Sequence, residues 1–258
     1  MKPNALILLA HGTNRDQDVF EALDLCGAHP EIVPLNLLHE KKKRWSDYQM
    51  LVLPGGFSYA DALGAGKLLA IDMQTFFIDE IQEFIVSGKP VIGICNGFQA
   101  LVRAGILPGE SHGSEKSTLT FNAGGHFECR WVTLRPFSQK CVWTKGLSEL
   151  IDCPIAHGEG NFQVSDRKTL LRLAMQDQIA LVYVHPDGSP ANGEYPANPN
   201  GSVMDIAGLC NPNGNVLGLM PHPENHIHPW QHPQWLRGMD RNSGLSIFRK
   251  GVKYAEEA

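Results

Sequence analysis

A chain of 258 residues, with 43% apolar and 19% charged side chains, is long enough to bury a large hydrophobic core. Its formal net charge of −5 argues against nucleic acid as a partner, because nucleic-acid-binding domains carry basic surfaces. The longest apolar runs, residues 5–10 and 179–184, are much shorter than the roughly 18 residues of a membrane span, and no secretory pattern opens the chain. We therefore expect a soluble, cytoplasmic protein that binds neither nucleic acid nor membrane.

The first hundred residues alternate between apolar runs of strand length and stretches with helical spacing. The apolar runs predict strands at residues 5–10, 31–38, 50–53 and 91–94. The helical spacing predicts helices at residues 16–28, at 71–86 and from about 97 onward. Pro34 places its strand at an edge or a bulge. Apolar strands between amphipathic helices predict an α/β fold with an open, mostly parallel sheet covered by helices on both faces.

From about residue 117 the pattern changes to shorter strands separated by turn-forming residues. These extra strands are predicted at residues 117–121, 127–134, 179–184 and 216–220. Residues 186–201 are rich in Gly, Pro and Asn and predict a loop, and a last helix is predicted at 244–256 with Ser243 as its N-cap. Because no repeat or long linker divides the chain, we expect one domain over residues 1–258.

The strongest local signal is a cysteine where a predicted strand meets a predicted helix. Cys95 follows the apolar run 91–94, and Gly93 and Gly97 stand two residues to either side of it. This G-x-C-x-G pattern is the cysteine form of a nucleophile turn, and a helix N-terminus favours the thiolate. None of the six cysteines forms a C-x-x-C pair, so the alternative for Cys95 is a small buried hydrophobe.

A second signal, Pro-His-Pro-Glu, follows the predicted strand at 216–220. The prolines beside His222 disfavour helix, and in extended backbone His222 and Glu224 project to the same side. A carboxylate fixes the tautomer of an imidazole and stabilises the imidazolium, which in turn stabilises a thiolate. Cys95, His222 and Glu224 are therefore candidate catalytic residues, with an ordinary loop histidine as the alternative for His222.

Gly55 and Gly56 follow the predicted strand at 50–53, where an open α/β sheet binds its ligands. Two consecutive glycines allow main-chain N–H groups to turn toward a ligand. The N–H groups of Gly55 or Gly56, together with that of Asn96 after the cysteine, are the candidate oxyanion hole.

Two other patterns resemble ligand sites. Gly66-Lys67 resembles the end of a phosphate-binding loop, but Asp61 replaces its first glycine and Leu68 its Ser or Thr, so no ATP site is recognisable. The histidines of segment 225–242 suggest zinc when taken with His222, but Pro223, Pro229 and Pro233 prevent regular spacing of ligands, and we expect a packed surface loop and no metal. Its imidazole and indole residues are His226, His228, Trp230, His232 and Trp235.

These motifs together resemble the class I glutamine amidotransferases, whose fold is flavodoxin-like. Residues 54–61 (PGGFSYAD) and 93–99 (GICNGFQ) resemble one branch of that class, the glutaminase subunits of purine biosynthesis. The similarity continues at residues 12–16, 122, 127, 130, 154–160, 211–214 and 218–224. The chain departs from the family at Asn225, where Arg is common, and at Phe121, where a basic residue is common.

The resemblance implies hydrolysis of glutamine through a thioester on Cys95, with His222 and Glu224 completing the triad. It also implies that Gln99 helps to seat the substrate. Three further residues would lie near the amino-acid end of the substrate, namely His157, Gly158 and Glu159.

The resemblance further implies that ammonia passes to a separate synthetase subunit, which converts formylglycinamide ribonucleotide to the amidine, with a small accessory subunit in the assembly. ATP and magnesium would act on the synthetase, and no cofactor is expected on this chain. Two alternatives remain: a glutaminase for another synthetase or a stand-alone cysteine hydrolase, and a non-catalytic docking subunit. The intact Cys95, His222 and Glu224 speak against the docking subunit.

Overall fold

In a computed structural model, which describes residues 1–109, 116–238 and 243–257, the chain folds around a nine-stranded sheet with a separate two-stranded ribbon. The strands are β1 (Asn4–Leu9), β2 (His29–Pro34), β3 (Met50–Leu53), β4 (Val91–Ile94), β5 (Ser117–Thr120), β6 (Glu128–Pro136), β7 (Ile151–His157), β8 (Asn161–Val164), β9 (Ile179–Val184), β10 (Ile206–Cys210) and β11 (Val216–Leu219). The helices are α1 (Asp16–Leu25), α2 (Leu35–His39), α3 (Lys67–Phe76), α4 (Ile78–Val86), α5 (Asn96–Arg103), α6 (Arg167–Met175) and α7 (Leu245–Glu257).

The large sheet has the order β2-β1-β3-β4-β11-β10-β9-β6-β7, and its first five strands are parallel. Five parallel strands in this order form a flavodoxin-like sheet. The chain adds β2 on one side of β1 and then adds β3, β4 and β11 on the other side. Because parallel strands are joined by right-handed crossovers, this change of direction places α1 on one face of the sheet and α3, α4 and α5 on the other. The predicted open sheet covered on both faces is confirmed.

The remaining strands of the sheet, β10, β9, β6 and β7, pair in antiparallel fashion, and β5 pairs with β8 in the ribbon. The predicted short strands of the second half are confirmed as β5, β6, β9 and β11. The sequence interpretation missed β7, β8 and β10. Asp152 and Pro154 lie within β7, and both residue types are uncommon in strands.

Two predictions were wrong in their extent. The strand predicted at 31–38 ends at Pro34, which lacks an N–H to continue the ladder, and the leucines after it form α2. The helix predicted at 71–86 is two helices, because Phe77 leaves the helical conformation with φ −137° and ψ 8°. The apolar spacing continues across Phe77, whose own side chain is buried, so the pattern conceals the break. Pro34 does lie on an edge strand, as predicted.

The predicted last helix is found as α7, and the predicted loop at 186–201 contains no helix or strand. Residues 239–242 of the segment singled out for its histidines lie outside the described residues. Helix α6 was missed although it has a capping signal, since the Asp166 carboxylate accepts from the Thr169 N–H at 2.7 Å. No helix in the described ranges is long and apolar enough to cross a membrane.

Candidate active site

The carboxyl ends of three adjacent parallel strands bring the predicted site residues to one edge of the sheet. Gly55 and Gly56 follow β3, Cys95 follows β4, and His222 follows β11. Cys95 has φ +50° and ψ −103°, a strained conformation that points its side chain out of the strand-to-helix turn. Its N–H donates to the Leu219 carbonyl at 2.8 Å, which ties the turn to β11.

Glycines flank Cys95 because helix α5 packs directly against the strands. A Cβ atom on Gly97 would lie 2.0 Å from the carbonyl oxygen of Leu53 in β3. A Cβ atom on Gly93 would lie 2.8 Å from the Gly97 carbonyl oxygen. Any larger residue at either position would push the helix away from the sheet and move the thiol.

His222 and Glu224 form a buried pair, with 2.6 Å between Nδ1 and Oε1. The prediction of extended backbone was wrong beyond His222, because Pro223–Asn225 forms a turn of 3-10 helix that begins with the proline. The turn nevertheless brings the carboxylate to the imidazole. The ring packs against Gly55, where a Cβ atom would lie 2.7 Å from the ring carbon Cε1.

The structure brings Cys95 and His222 together as well, since the Cys95 sulfur lies close enough to act on the pKa of the imidazole. Nδ1 of His222 faces Glu224, which leaves Nε2 for the sulfur. Burial lowers the pKa of His222, but the Glu224 carboxylate and the Cys95 sulfur outweigh burial and raise it to about 10. The arrangement therefore favours an imidazolium beside the nucleophile.

Gly56 lines the same cavity as Cys95 and offers a main-chain donor. It has φ +141° and forms an isolated bridge with Thr13, in which Phe57 N–H donates to the Gly12 carbonyl. The matching bond runs from Asn14 N–H to the Gly55 carbonyl, so the bridge leaves the Gly56 N–H unused. A Cβ atom on Gly56 would lie 2.7 Å from the Asn14 nitrogen, so only glycine fits.

Cys95 opens into a cavity of about 190 Å³. The cavity is lined by Gly56, Phe57, Asp61, Ala65, Cys95, Gln99, Phe121, Phe127, Ala156, His157, Gly158 and Glu159. Gln99 Nε2 donates to the Glu159 carbonyl at 2.7 Å, and the Glu159 carboxylate accepts from the Ala65 N–H and from Arg103. Gln99, His157, Gly158 and Glu159 therefore lie together on one wall of the cavity, whereas Gly55 and Asn96 are not among its lining residues. Phe121, a departure from the family, is 71% exposed at its mouth.

A buried network that the sequence interpretation missed holds the loop beyond Gly56. The Asn96 side chain accepts from Ser58 Oγ at 2.5 Å and donates to Asp61 Oδ1 at 2.9 Å. This loop contains left-handed residues, including Tyr59 and Ala60, whose strain persists only where other contacts hold them. Ser58 and Asp61 belong to the PGGFSYAD motif, which is the signal that could have revealed the network.

His157 lines the cavity and carries a buried, unpaired acceptor. The amide nitrogen of Asn122 donates to the carbonyls of His126 and His157, so its oxygen faces His157 Nδ1 at 3.1 Å. Nδ1 therefore carries the proton, and Nε2 is a buried acceptor with no partner in the described part of the chain. Burial and then the charge of His222 lower the pKa of His157 to about 3, so the ring is neutral.

The histidines of segment 225–242 bind protein groups. His226 Nδ1 lies 2.6 Å from the Asp152 carbonyl oxygen, and His232 Nε2 lies 3.6 Å from the Asp152 carboxylate. His228 stacks on Trp230 and contacts Glu21. Among residues 1–109, 116–238 and 243–257, no group of three or more His, Cys, Asp or Glu side chains is arranged to hold a metal ion.

The chain is similar over nearly its whole length to a protein family and to several known proteins. Residues 2–255 match the CobB/CobQ-like glutamine amidotransferase domain. The phosphoribosylformylglycinamidine synthase subunit PurQ of Treponema denticola is 58% identical, over 98% of this chain and 99% of its own. The PurQ subunit of a Methanococcus maripaludis strain is 39% identical over 98% and 97% of the two chains. A chain in the structure of PurLQS from Thermotoga maritima superposes with a TM-score of 0.75 at 32% identity, over 98% and 99% of the two chains.

Proposed function

This chain belongs to the CobB/CobQ-like glutamine amidotransferase family, and we propose that it is the glutaminase subunit of a phosphoribosylformylglycinamidine synthase. Relatives that carry this name match it over nearly their full length. The observation that carries the chemistry is the chain of contacts from Cys95 through His222 to the buried Glu224, beside a cavity. A cytoplasmic location stays a prediction.

The Cys95 thiol transfers its proton to His222 Nε2, and the resulting thiolate attacks the side-chain amide carbon of glutamine. The imidazolium then protonates the leaving nitrogen, so that ammonia departs and a γ-glutamyl thioester remains on Cys95. The neutral imidazole next removes a proton from water, which hydrolyses the thioester to glutamate and restores the thiol. Glu224 holds the ring and stabilises its charged form at each stage.

The oxyanion of each tetrahedral intermediate is held by the main-chain N–H groups of Gly56 and Asn96. Gly56 lines the cavity and its N–H is not used by the bridge to Thr13, and Asn96 is the first residue of α5, where N–H groups have no partner within the helix. Such a donor contributes roughly 2.7–4 kcal/mol to the transition state in hydrolases. Gly55 has a different use, since its lack of a side chain admits the His222 ring.

The substrate lies along the wall formed by Gln99, His157, Gly158 and Glu159. The orphaned Nε2 of His157 is an acceptor, so it receives an N–H group of glutamine. A buried acceptor without a donor costs about 1–3 kcal/mol, and that cost is recovered when the substrate binds. Gln99 is held by Glu159 and orients its amide against the substrate.

Ammonia is delivered to a separate ATP-dependent synthetase subunit that converts formylglycinamide ribonucleotide to the amidine. The word subunit in the names of the relatives supports this division of labour. ATP and Mg²⁺ act on the synthetase, and this chain uses only its own side-chain and main-chain groups, in keeping with its lack of a phosphate-binding motif. A small accessory subunit completes the proposed assembly.

The variant Cys95→Ala tests the proposal in the assembled enzyme. Synthesis driven by glutamine is lost, whereas synthesis driven by added ammonium is kept, because the synthetase site is untouched. The matched control is Cys129→Ala, which removes an exposed thiol and leaves both activities unchanged. A loss of both activities in Cys95→Ala would show that the thiol does not serve glutamine hydrolysis.

A further inference from the structure

Two carbonyl groups of the edge strand β7 anchor the turn that carries Glu224. The His222 N–H donates to the Pro154 carbonyl at 2.8 Å, and the His226 side chain donates from Nδ1 to the Asp152 carbonyl at 2.6 Å. Residues two apart on a strand present their carbonyls to the same side, and β6 occupies the opposite side of β7. The two anchors therefore lie along one edge, and Glu224 lies midway between them in the chain.

Ring packing and main-chain hydrogen bonds fix the position of His226. The residue is 2% exposed, and its ring packs edge-on against Trp131 of β6, with 5.1 Å between ring centroids and an angle of 81°. Its N–H donates to the Pro223 carbonyl at 3.2 Å, and its own carbonyl accepts from the Gly244 N–H at 2.8 Å. Gly244 packs so closely on this turn that a Cβ atom there would lie 2.2 Å from the Pro223 carbonyl oxygen. A side chain this well fixed can define the position of the adjoining turn.

Glu224 itself has few means of holding its position. Within the described ranges, Oε1 binds His222 and the buried Oε2 has no hydrogen-bond partner. The carboxylate therefore depends on its main chain, and the main chain of Pro223–Asn225 depends on the anchors at its two ends. The distance between Glu224 and His222 therefore depends on how closely the turn of Pro223–Asn225 packs against β7.

We propose that His226 is a positioning residue for the catalytic pair, acting through the bond from its Nδ1–H to the Asp152 carbonyl. The bond holds the turn of Pro223–Asn225 against β7, in the position where the Glu224 carboxylate contacts His222. This gives the histidine-bearing segment a role in catalysis without contact with the substrate. The kinetic measurement that tests this proposal rests on the proposed function, whereas the measurement of Cys95 alkylation does not.

The test compares two variants of His226, of which only one keeps an N–H group that can donate to the Asp152 carbonyl. His226→Phe keeps an aromatic ring against Trp131 but cannot donate to Asp152. His226→Asn loses the ring but places an amide N–H near the position of Nδ1. Should His226→Phe not fold, His226→Leu, which has nearly the shape of the asparagine variant, makes the same comparison. The controls are the same substitutions at His228, which lies in the same segment and contacts Glu21 and Trp230.

Two quantities are measured. The first is kcat and KM for glutamine in the assembled enzyme. The second is the pH dependence of alkylation of Cys95 by iodoacetamide in the isolated chain, followed on its own peptide by mass spectrometry. Alkylation reports the thiolate that the His222 imidazolium stabilises. The titratable groups facing His222 are Glu224, Cys95 and His157, and those facing His226 are His232 and Asp152; all are retained in every variant.

His226→Phe lowers kcat about tenfold with KM unchanged, since small misplacements of catalytic groups cost up to about 10²-fold. The same variant moves the midpoint of Cys95 alkylation to higher pH, because a displaced Glu224 stabilises the imidazolium less. His226→Asn stays close to the unmodified protein in both measurements, and so do the His228 variants.

The proposal is wrong if His226→Phe retains both kcat and the alkylation profile, or if the asparagine variant loses as much as the phenylalanine variant. Equal losses in the His228 variants would also contradict it. If the unmodified chain hydrolyses no glutamine with its synthetase present, the proposed function fails, and the alkylation profiles still decide the role of His226.

Discussion

The imidazole of His222 donates from Nδ1 to Oε1 of Glu224 across 2.6 Å, and both side chains are buried. Because the carboxylate cannot be solvated there, its charge acts on the ring with little screening. The pKa of His222 is accordingly raised from 6.5 to about 10, even though burial by itself lowers it. The contact determines both the protonation state of the catalytic base and part of the pH dependence of stability.

Glu224→Gln removes the charge that stabilises the imidazolium. We expect kcat to fall by about 10²–10⁴-fold, as in other triads that lose the orienting carboxylate. We also expect the alkaline limb of the kcat/KM profile to move to lower pH, since the pKa of His222 falls. A pH–rate series on the assembled enzyme measures both effects. Glu256→Gln, at an exposed position of α7, is the control.

The same pair predicts a pH-dependent stability. The folded-state pKa of His222, about 10, lies above its ordinary value of 6.5, so the pair stabilises the fold fully below about pH 6.5. That contribution is lost as the pH rises through about 10. Urea unfolding between these limits measures the decline, which is smaller in Glu224→Gln. An identical decline in the two proteins would contradict the assignment of the raised pKa to this pair.

Gly97→Ala tests the close packing of α5 on β3. The added methyl group would lie 2.0 Å from the Leu53 carbonyl oxygen, and a backbone atom cannot move aside as a side chain can. We expect a loss of about 1–3 kcal/mol in the free energy of unfolding, which outweighs the gain in helix propensity of up to about 1 kcal/mol.

The control for this change is Gly158→Ala. The nearest atom to its added methyl group belongs to the flexible side chain of Phe127 at 3.8 Å, and the position has no left-handed strain. Urea titration of both variants gives the comparison. Equal stability of the two would mean that the contact between α5 and β3 is looser than described.

His157→Phe tests the unpaired acceptor. The substitution keeps an aromatic ring but removes Nε2, so an N–H group of bound glutamine loses its partner. We expect KM for glutamine to rise about 10- to 100-fold, since a buried donor left without its partner costs about 1–3 kcal/mol. Steady-state kinetics measure it. His126→Phe, which changes a largely exposed ring nearby, should leave KM unaltered.

The parallel half of the sheet could be predicted because its strands are buried on both faces and read as unbroken apolar runs, such as Met50–Leu53 and Val91–Ile94. The antiparallel half could not, since β7 carries Asp152 and Pro154 where apolar residues were sought. The polar side chain of Asp152 has a specific use, since its carboxylate accepts from Thr133 Oγ1 at 2.8 Å.

Individual motifs in the sequence indicated the triad, whereas the networks around it depend on contacts between distant positions. The Asn96 amide binds Ser58 and Asp61, 38 and 35 residues away. The acceptor on His157 becomes evident only when the orientation of the Asn122 amide is known. Hydrogen bonds between residues so far apart in the sequence leave no periodic pattern from which they could be predicted.

The convergence of Cys95 with His222 and Glu224 is tested most directly by covalent labelling with a glutamine-mimicking electrophile, followed by peptide mapping. The account predicts one label per chain, on Cys95, with protection by glutamine and loss of labelling in His222→Ala. Labelling that falls on the exposed Cys129 with no protection by glutamine, in an enzyme that still hydrolyses glutamine, would contradict it.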